Sequence, residues 1–214
     1  MKESDIGAIC GIAHTFVGHP LDTIKVWIQN REQLSFNIFN LYRGVSFPLL
    51  NSIAASYLLF GSTNYFYKKF ENYYLSGFFS GLLISPQLQI SEYLKINEQI
   101  KSNKKIYQLL PLSMRIGFPL TFIREGIGSS IYFGHYHLFK DNLNLNSFVA
   151  GGLGGMSSWF FTYPLDVIKT RIQVYPHKET YKTAFNKGKL WDGLFITLIR
   201  GFLVNGVVFY VYDF

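Results

Sequence analysis

An acid and a base three residues apart recur along this 214-residue chain, embedded in apolar sequence. Pro20-Leu21-Asp22-Thr23-Ile24-Lys25-Val26-Trp27-Ile28-Gln29 returns as Pro164-Leu165-Asp166-Val167-Ile168-Lys169-Thr170-Arg171-Ile172-Gln173, with seven of ten positions identical. A weaker copy lies between them, Ile90-Ser91-Glu92-Tyr93-Leu94-Lys95-Ile96-Asn97-Glu98-Gln99, with acid, base and glutamine at matching offsets but no proline at its head. On a helix, residues three apart share nearly one face. An ionised side chain among apolar residues is costly unless it is paired or wet. Three acids and three bases at equivalent places satisfy one another as a ring: Asp22 with Lys95, Glu92 with Lys169, Asp166 with Lys25. Pro20 and Pro164 remove backbone donors and can kink their helices, turning the three ends toward a common axis. Such a ring plugs one end of a cavity. Because desolvation offsets much of an ion pair's attraction, bound cargo can open it. The plain alternative, a proline-started soluble helix with a solvated lysine, suits one copy better than three in phase.

A second landmark repeats with the same period. Gly44, Gly117 and Gly193 lie 73 and 76 residues apart, and sixteen residues after each comes an aromatic: Phe60, Phe133 and Phe209. Seven after each glycine stand Asn51, Arg124 and Arg200.

The elements that must carry these residues are long and apolar, near 6–28, 45–68, 73–98, 112–138, 146–174 and 194–213. Six helices of about 20–25 residues occupy roughly 120–150 residues, leaving only short links. Composition agrees: 49% hydrophobic, 18% aromatic with 21 Phe, and 15% charged residues, against about a quarter charged in soluble domains. A mean hydropathy of only +0.14 fits helices that are apolar outside but line a polar path. Small residues four apart, Gly7 and Gly11, Gly77 and Gly81, Gly151 and Gly155, suit close helix packing; the alternative at 151–155 is a flexible glycine loop. The connections 30–43, 100–111 and 175–190 are polar, and the last two are basic, as an anionic leaflet or plain solvent would favour. Short links near 69–73 and 139–146 make neighbours antiparallel. The fold expected is an all-α membrane protein: six transmembrane helices in three tandem two-helix repeats (1–72, 73–144 with the degenerate motif, and 145–214), pseudo-threefold around a central cavity. The start, Met1-Lys2-Glu3-Ser4-Asp5, is neither a secretory signal nor an acid-poor transit peptide, so targeting is expected to be internal.

The motif Pro-x-acid-x-x-base, with glutamine four beyond the base, resembles the signature of the mitochondrial carrier family, and the resemblance runs over essentially the whole chain. It implies alternating access in the inner mitochondrial membrane (the host's, if the source is a parasite or virus), a chain that works as a monomer, and no cofactor. It also implies that Gln29, Gln99 and Gln173 brace the three salt bridges. Tyr42-Arg43-Gly44 looks like the family's lipid-contact turn, where cardiolipin phosphates meet helix N-termini. Two departures stand out. The loops after the odd helices are short, so their surface helices must be stubs. The family's second gate, aromatic-acid-x-x-base on the even helices, is reduced to one possible pair, Lys140 with Asp213.

By the same resemblance, the positions seven and eight beyond each glycine contact the substrate. They read Asn51-Ser52, Arg124-Glu125 and Arg200-Gly201. A guanidinium holds carboxylate or phosphate in a bidentate fork, and Glu125 offers a place for a cation. This resembles the carriers of zwitterionic amino acids and carnitine-like solutes. Asn51, Ala54 and Ala55 supply no acid for a distal ammonium. Alternatively, Arg124 and Glu125 neutralise each other. The second substrate reading is a nucleotide or deoxynucleotide bound through Arg124 and Arg200. An Asn-, Lys-, Ile-, Phe- and Tyr-rich composition, as of an AT-rich parasite or large virus, goes with that reading.

Other classes find little support. His14, His19, His135, His137 and His177 have no metal-ligand spacing, and no nucleophile elbow or phosphate loop appears. The net charge of +7 is dispersed among membrane-length runs rather than gathered as in a nucleic-acid binder. The lone Cys10 rules out an intrachain disulfide and reads as buried packing. The partners expected are therefore a small solute and membrane lipid, not nucleic acid.

Overall fold

The computed structural model describes residues 2–30, 41, 42, 44–99, 117–174 and 180–214, with side chains described as far as 23 in the first helix and 92 in the third. Among these residues there are seven α-helices and no strand: α1 (Glu3–Asn30), α2 (Ser46–Phe70), α3 (Tyr73–Gln99), α4 (Phe118–His137), α5 (Ser147–Val174), the short α6 (Tyr181–Asn186) and α7 (Leu194–Tyr212). A π-helical turn, Leu138–Asn142, ends α4. The expected helix over 112–138 starts at Phe118; residues 112–116 lie outside the described set. The six long helices pack in chain order, each on the next, and α7 packs back on α1, so they close into a ring.

The residues explain the starts and the contacts. Gly44, Gly117 and Gly193 all have positive φ, 78°, 79° and 84°, a backbone region that glycine enters without a Cβ penalty. Each thus turns the chain at the head of a long helix, α2, α4 or α7. The small residues seat odd helices on even ones. A Cβ on Gly81 would lie 2.1 Å from the Glu125 carbonyl oxygen, and one on Gly77 2.3 Å from that of Ser129. Gly151 to Gly155 lie within α5, so the glycine-loop alternative does not hold.

Polarity runs opposite to that of a soluble protein. Large apolar side chains face outward, including Phe16, Leu50, Leu83, Ile123, Phe161 and Ile196, while Thr15, Ser80, Gln89, Thr121, Glu125 and Lys169 are buried. A contiguous apolar exterior marks a surface not meant for water. By composition alone, α7 is the one helix among the described residues long and apolar enough to cross a membrane, with a mean hydropathy of 1.9; the other long helices dilute their apolar character with inward polar groups. Pro20, Pro86 and Pro164 sit inside helices that continue beyond them. At the end of the ring that holds the N- and C-termini, Phe60, Phe133 and Phe209 meet one another edge to face, their centroids 5.3, 5.9 and 6.0 Å apart. Cys10 is fully buried beside them, its Sγ donating to the Val208 carbonyl at 3.4 Å.

Candidate functional site

The ring encloses a central cavity of about 430 Å³, into which Asn51, Arg124, Glu125, Arg200, Asp22 and Glu92 all project. The four residues read as substrate contacts and two of the motif acids therefore share one space.

One of the three expected ion pairs is in place, and the other two acids have different neighbours. Glu92 pairs with Lys169, a residue 2% exposed. Asp22, expected to meet Lys95, is gripped by Arg200 in a two-pronged bond, Nε to Oδ1 at 2.7 Å and Nη2 to Oδ2 at 2.8 Å. The cause is local: α7 lies against α1, a guanidinium fork matches both carboxylate oxygens, and Gly18, one turn before Asp22, leaves room, since a Cβ there would stand 3.2 Å from Arg200 Nη2. Asp166, expected to meet Lys25, lies with Oδ1 3.1 Å from Arg124 Nε, out of line for a hydrogen bond, and 3.8 Å from Lys169 Nζ. The side chains of Lys25, Lys95, Gln29 and Gln99 lie outside the described residues. The third glutamine departs from its expected bracing role: Gln173 Nε2 donates to Gln89 Oε1 at 3.1 Å, and that oxygen also accepts from Thr121 Oγ1 at 2.5 Å. Gln89 is fully buried and supplies the acceptor.

Arg124 also pairs with Glu125, its neighbour on α4, as the self-neutralising alternative foresaw. Its guanidinium lies 4.8 Å over the ring of Trp159, a contact that favours a fixed cation. Asn51 Oδ1 accepts from Ser91 Oγ at 2.5 Å.

At the terminus end, Lys140 pairs with Asp213, which also accepts from Ser147 and from the Tyr136 hydroxyl at 2.6 Å. Burial alone would raise the Asp213 carboxyl, but hydrogen bonds from Lys140, Ser147 and Tyr136 outweigh it and hold the group below the ordinary carboxylate value. Around this pair the closure is aromatic, with Tyr136 stacked on Phe209 at 3.5 Å.

The motif search passed over Trp159 and His14, both of which line the cavity. Trp159 stands seven residues before Asp166, two turns back on the same face, and that spacing was the available signal. His14 Nδ1 lies 3.4 Å from Ser52 Oγ, which is also 3.0 Å from the Gly11 carbonyl. Of the lipid-contact turn, Arg43 lies outside the described residues, while the Tyr42 hydroxyl donates to the Phe16 carbonyl at 2.8 Å.

Known proteins resemble this chain in sequence. Residues 143–214 match the family described as mitochondrial carrier protein. The chain is 30% identical to a mitochondrial substrate carrier family protein of Dictyostelium discoideum, over an alignment covering all of this chain and 95% of the relative. That alignment is 273 positions long against 214 residues here, so the relative carries inserted sequence that this chain lacks. It is 28% identical to the mitochondrial arginine transporter of Arabidopsis thaliana, over 99% of this chain and 89% of the relative. It is 27% identical to a glutamate/glycine mitochondrial carrier of Schizosaccharomyces pombe, over 99% and 92%. A charged cavity inside a ring of apolar-faced helices and full-length similarity of this kind together place the chain in the mitochondrial carrier family, as a multi-pass transporter of the inner mitochondrial membrane.

Proposed function

We propose that this carrier moves a small zwitterionic solute, an amino acid or a carnitine-like compound, by alternating access through six membrane-spanning helices in three repeats (1–72, 73–144 and 145–214). The observation that carries the reading is the cavity itself, where Arg124 and Arg200 face a common space and Glu125 stands beside Arg124. One fork takes the carboxylate and Glu125 takes the ammonium. The relatives named for arginine and for glutamate or glycine differ in side chain, and the zwitterionic head is what those solutes share. The distal end of the solute meets Asn51 and Ser91, an amide and a hydroxyl with no net charge. That wall favours a neutral or hydrogen-bonding tail over a second ammonium.

The roles follow from the same placement. Asp22, Glu92 and Asp166 with their lysines form the matrix-side gate, Pro20 and Pro164 its hinges and the glutamines its supports. Lys140 and Asp213 are the remnant of the cytosolic-side gate, and cardiolipin is the lipid at the helix-start turns. The carrier works as a monomer. Uptake into liposomes holding the purified protein tests the substrate. Neutral amino acids or carnitine should enter faster than lysine or arginine, and Arg124→Ala or Arg200→Ala should cut uptake at least about thirtyfold while leaving a folded protein, since stripping one partner from a buried charge pair costs about 2–5 kcal/mol. Uptake of nucleoside triphosphates in place of zwitterions would establish the nucleotide reading instead. Undiminished uptake in both alanine variants would remove the arginines from the site.

A further inference from the structure

Two of the three motif acids follow one rule. Asp22, from the first repeat, is held by Arg200 of the third, and Asp166, from the third, lies against Arg124 of the second. Each acid thus reaches the residue seven beyond the glycine of the preceding repeat. By that rule Glu92, from the second repeat, belongs with position 51 of the first. Position 51 is asparagine, Asn51 Oδ1 already accepts from Ser91, and Glu92 has gone instead to Lys169. The exception is explained by residue type: a carboxylate goes to a guanidinium where one is offered and to an ammonium where it is not.

We infer that Asp22 and Asp166 are resident carboxylates that compete for the two substrate arginines, Asp22 by a two-pronged hydrogen bond to Arg200 and Asp166 by charge contact with an Arg124 already bonded to Glu125, so that an arriving solute carboxylate must displace one of them. The inference rests on the reading of Arg124 and Arg200 as solute contacts. The Arg200–Asp22 bond demonstrates the fit, because both oxygens of a carboxylate sit on the fork at ordinary hydrogen-bond lengths of 2.7 and 2.8 Å. A carboxylate from outside makes the same two bonds and sets Asp22 free. A freed Asp22 is the acid that the motif supplies for the gate. Solute binding and reassembly of the gate then become a single exchange of partners on one guanidinium. Arg200 keeps two hydrogen bonds to a carboxylate before and after the exchange, so little of its own attraction is lost on the way.

The test separates affinity from turnover. In proteoliposomes, Asp22→Asn removes the competitor but also the gate acid, so KM for the transported zwitterion should fall about three- to tenfold, the size expected for losing one competing charge-assisted pair, while Vmax also falls. A merely structural role for Asp22 would not tighten solute binding. Asp166→Asn, on the other arginine, should show the same split, and it keeps the question answerable if one variant does not fold. Solute-induced thermal stabilisation of detergent-solubilised protein gives a second readout, expected to be larger in Asp22→Asn than in the parent. A KM that is unchanged or raised in both folded variants overturns the inference and leaves the arginine site standing. Loss of the arginine site itself would show separately, as normal uptake in Arg200→Ala.

Discussion

The two ends of the ring are closed by different physics. At the motif end, acids and bases from different helices meet, and three of the four described acids there are held by arginine or share an arginine with a second acid. At the terminus end, three phenylalanines from α2, α4 and α7 converge edge to face, Tyr136 stacks on one of them, and the Lys140–Asp213 pair sits outside. Ionic contacts can be exchanged for a charged solute. Aromatic contacts have nothing to exchange and depend on fit alone. The lesson is that an aromatic triad, sixteen residues beyond each of three equivalent glycines, packs that end where charged pairs are few. On the proposed reading, the other end is the one that senses cargo.

The comparison can be broken most severely at Phe209, which is fully buried and touches Phe60, Tyr132, Phe133, Tyr136 and Tyr212. Phe209→Ala should lower stability by about 3–5 kcal/mol, the usual cost of an aromatic-sized cavity, and should make proteoliposomes leaky to small ions. Thermal unfolding in detergent and a passive-leak assay check this; a tight, stable variant would mean that the triad does not close the axis. Next in size is Gly81→Ala. The new methyl meets the Glu125 carbonyl, so α3 and α4 must separate at a cost of about 1–3 kcal/mol, and Glu125 moves with its backbone. Uptake should fall more steeply than melting temperature, which would sharpen the claim that the motif-end cavity depends on position. The smallest effect belongs to Asp213→Asn. The pair with Lys140 is partly exposed, and such pairs contribute about 0–1 kcal/mol. Its pH dependence has a definite sign. Because the folded carboxyl is held below its ordinary value of 3.8, the contribution is present above that value and is lost only as pH falls through the lowered one. Parent and variant melting temperatures should therefore differ by a constant amount from neutrality down to about pH 4 and converge below it.

Much of this arrangement was legible in the residues. Glycines 73 and 76 residues apart share one backbone conformation, and the aromatics sixteen beyond them prove to be the same axial layer. Period and offset carry such information because equivalent positions in repeated units face the same way. The partners of Asp22 and Asp166 were not legible. Spacing along a helix tells which face Asp22 occupies, but not which base lies across from it. Attraction between opposite charges does not single out Arg200; the fork of the guanidinium and the room left by Gly18 do. Gln173 failed for a similar reason, since nothing in the motif indicates that Gln89, one turn before Glu92, is buried within its reach.

One buried thiol has a practical consequence. Cys10 is the sole cysteine of the chain, and it is fully enclosed with its sulfur bonded to Val208. The native protein is accordingly a ready background for maleimide labelling, because a spin label or fluorophore will report almost wholly from whichever residue is changed to cysteine. Probes set in pairs at opposite rims can then follow, in real time, which end of the tube breathes when a solute arrives.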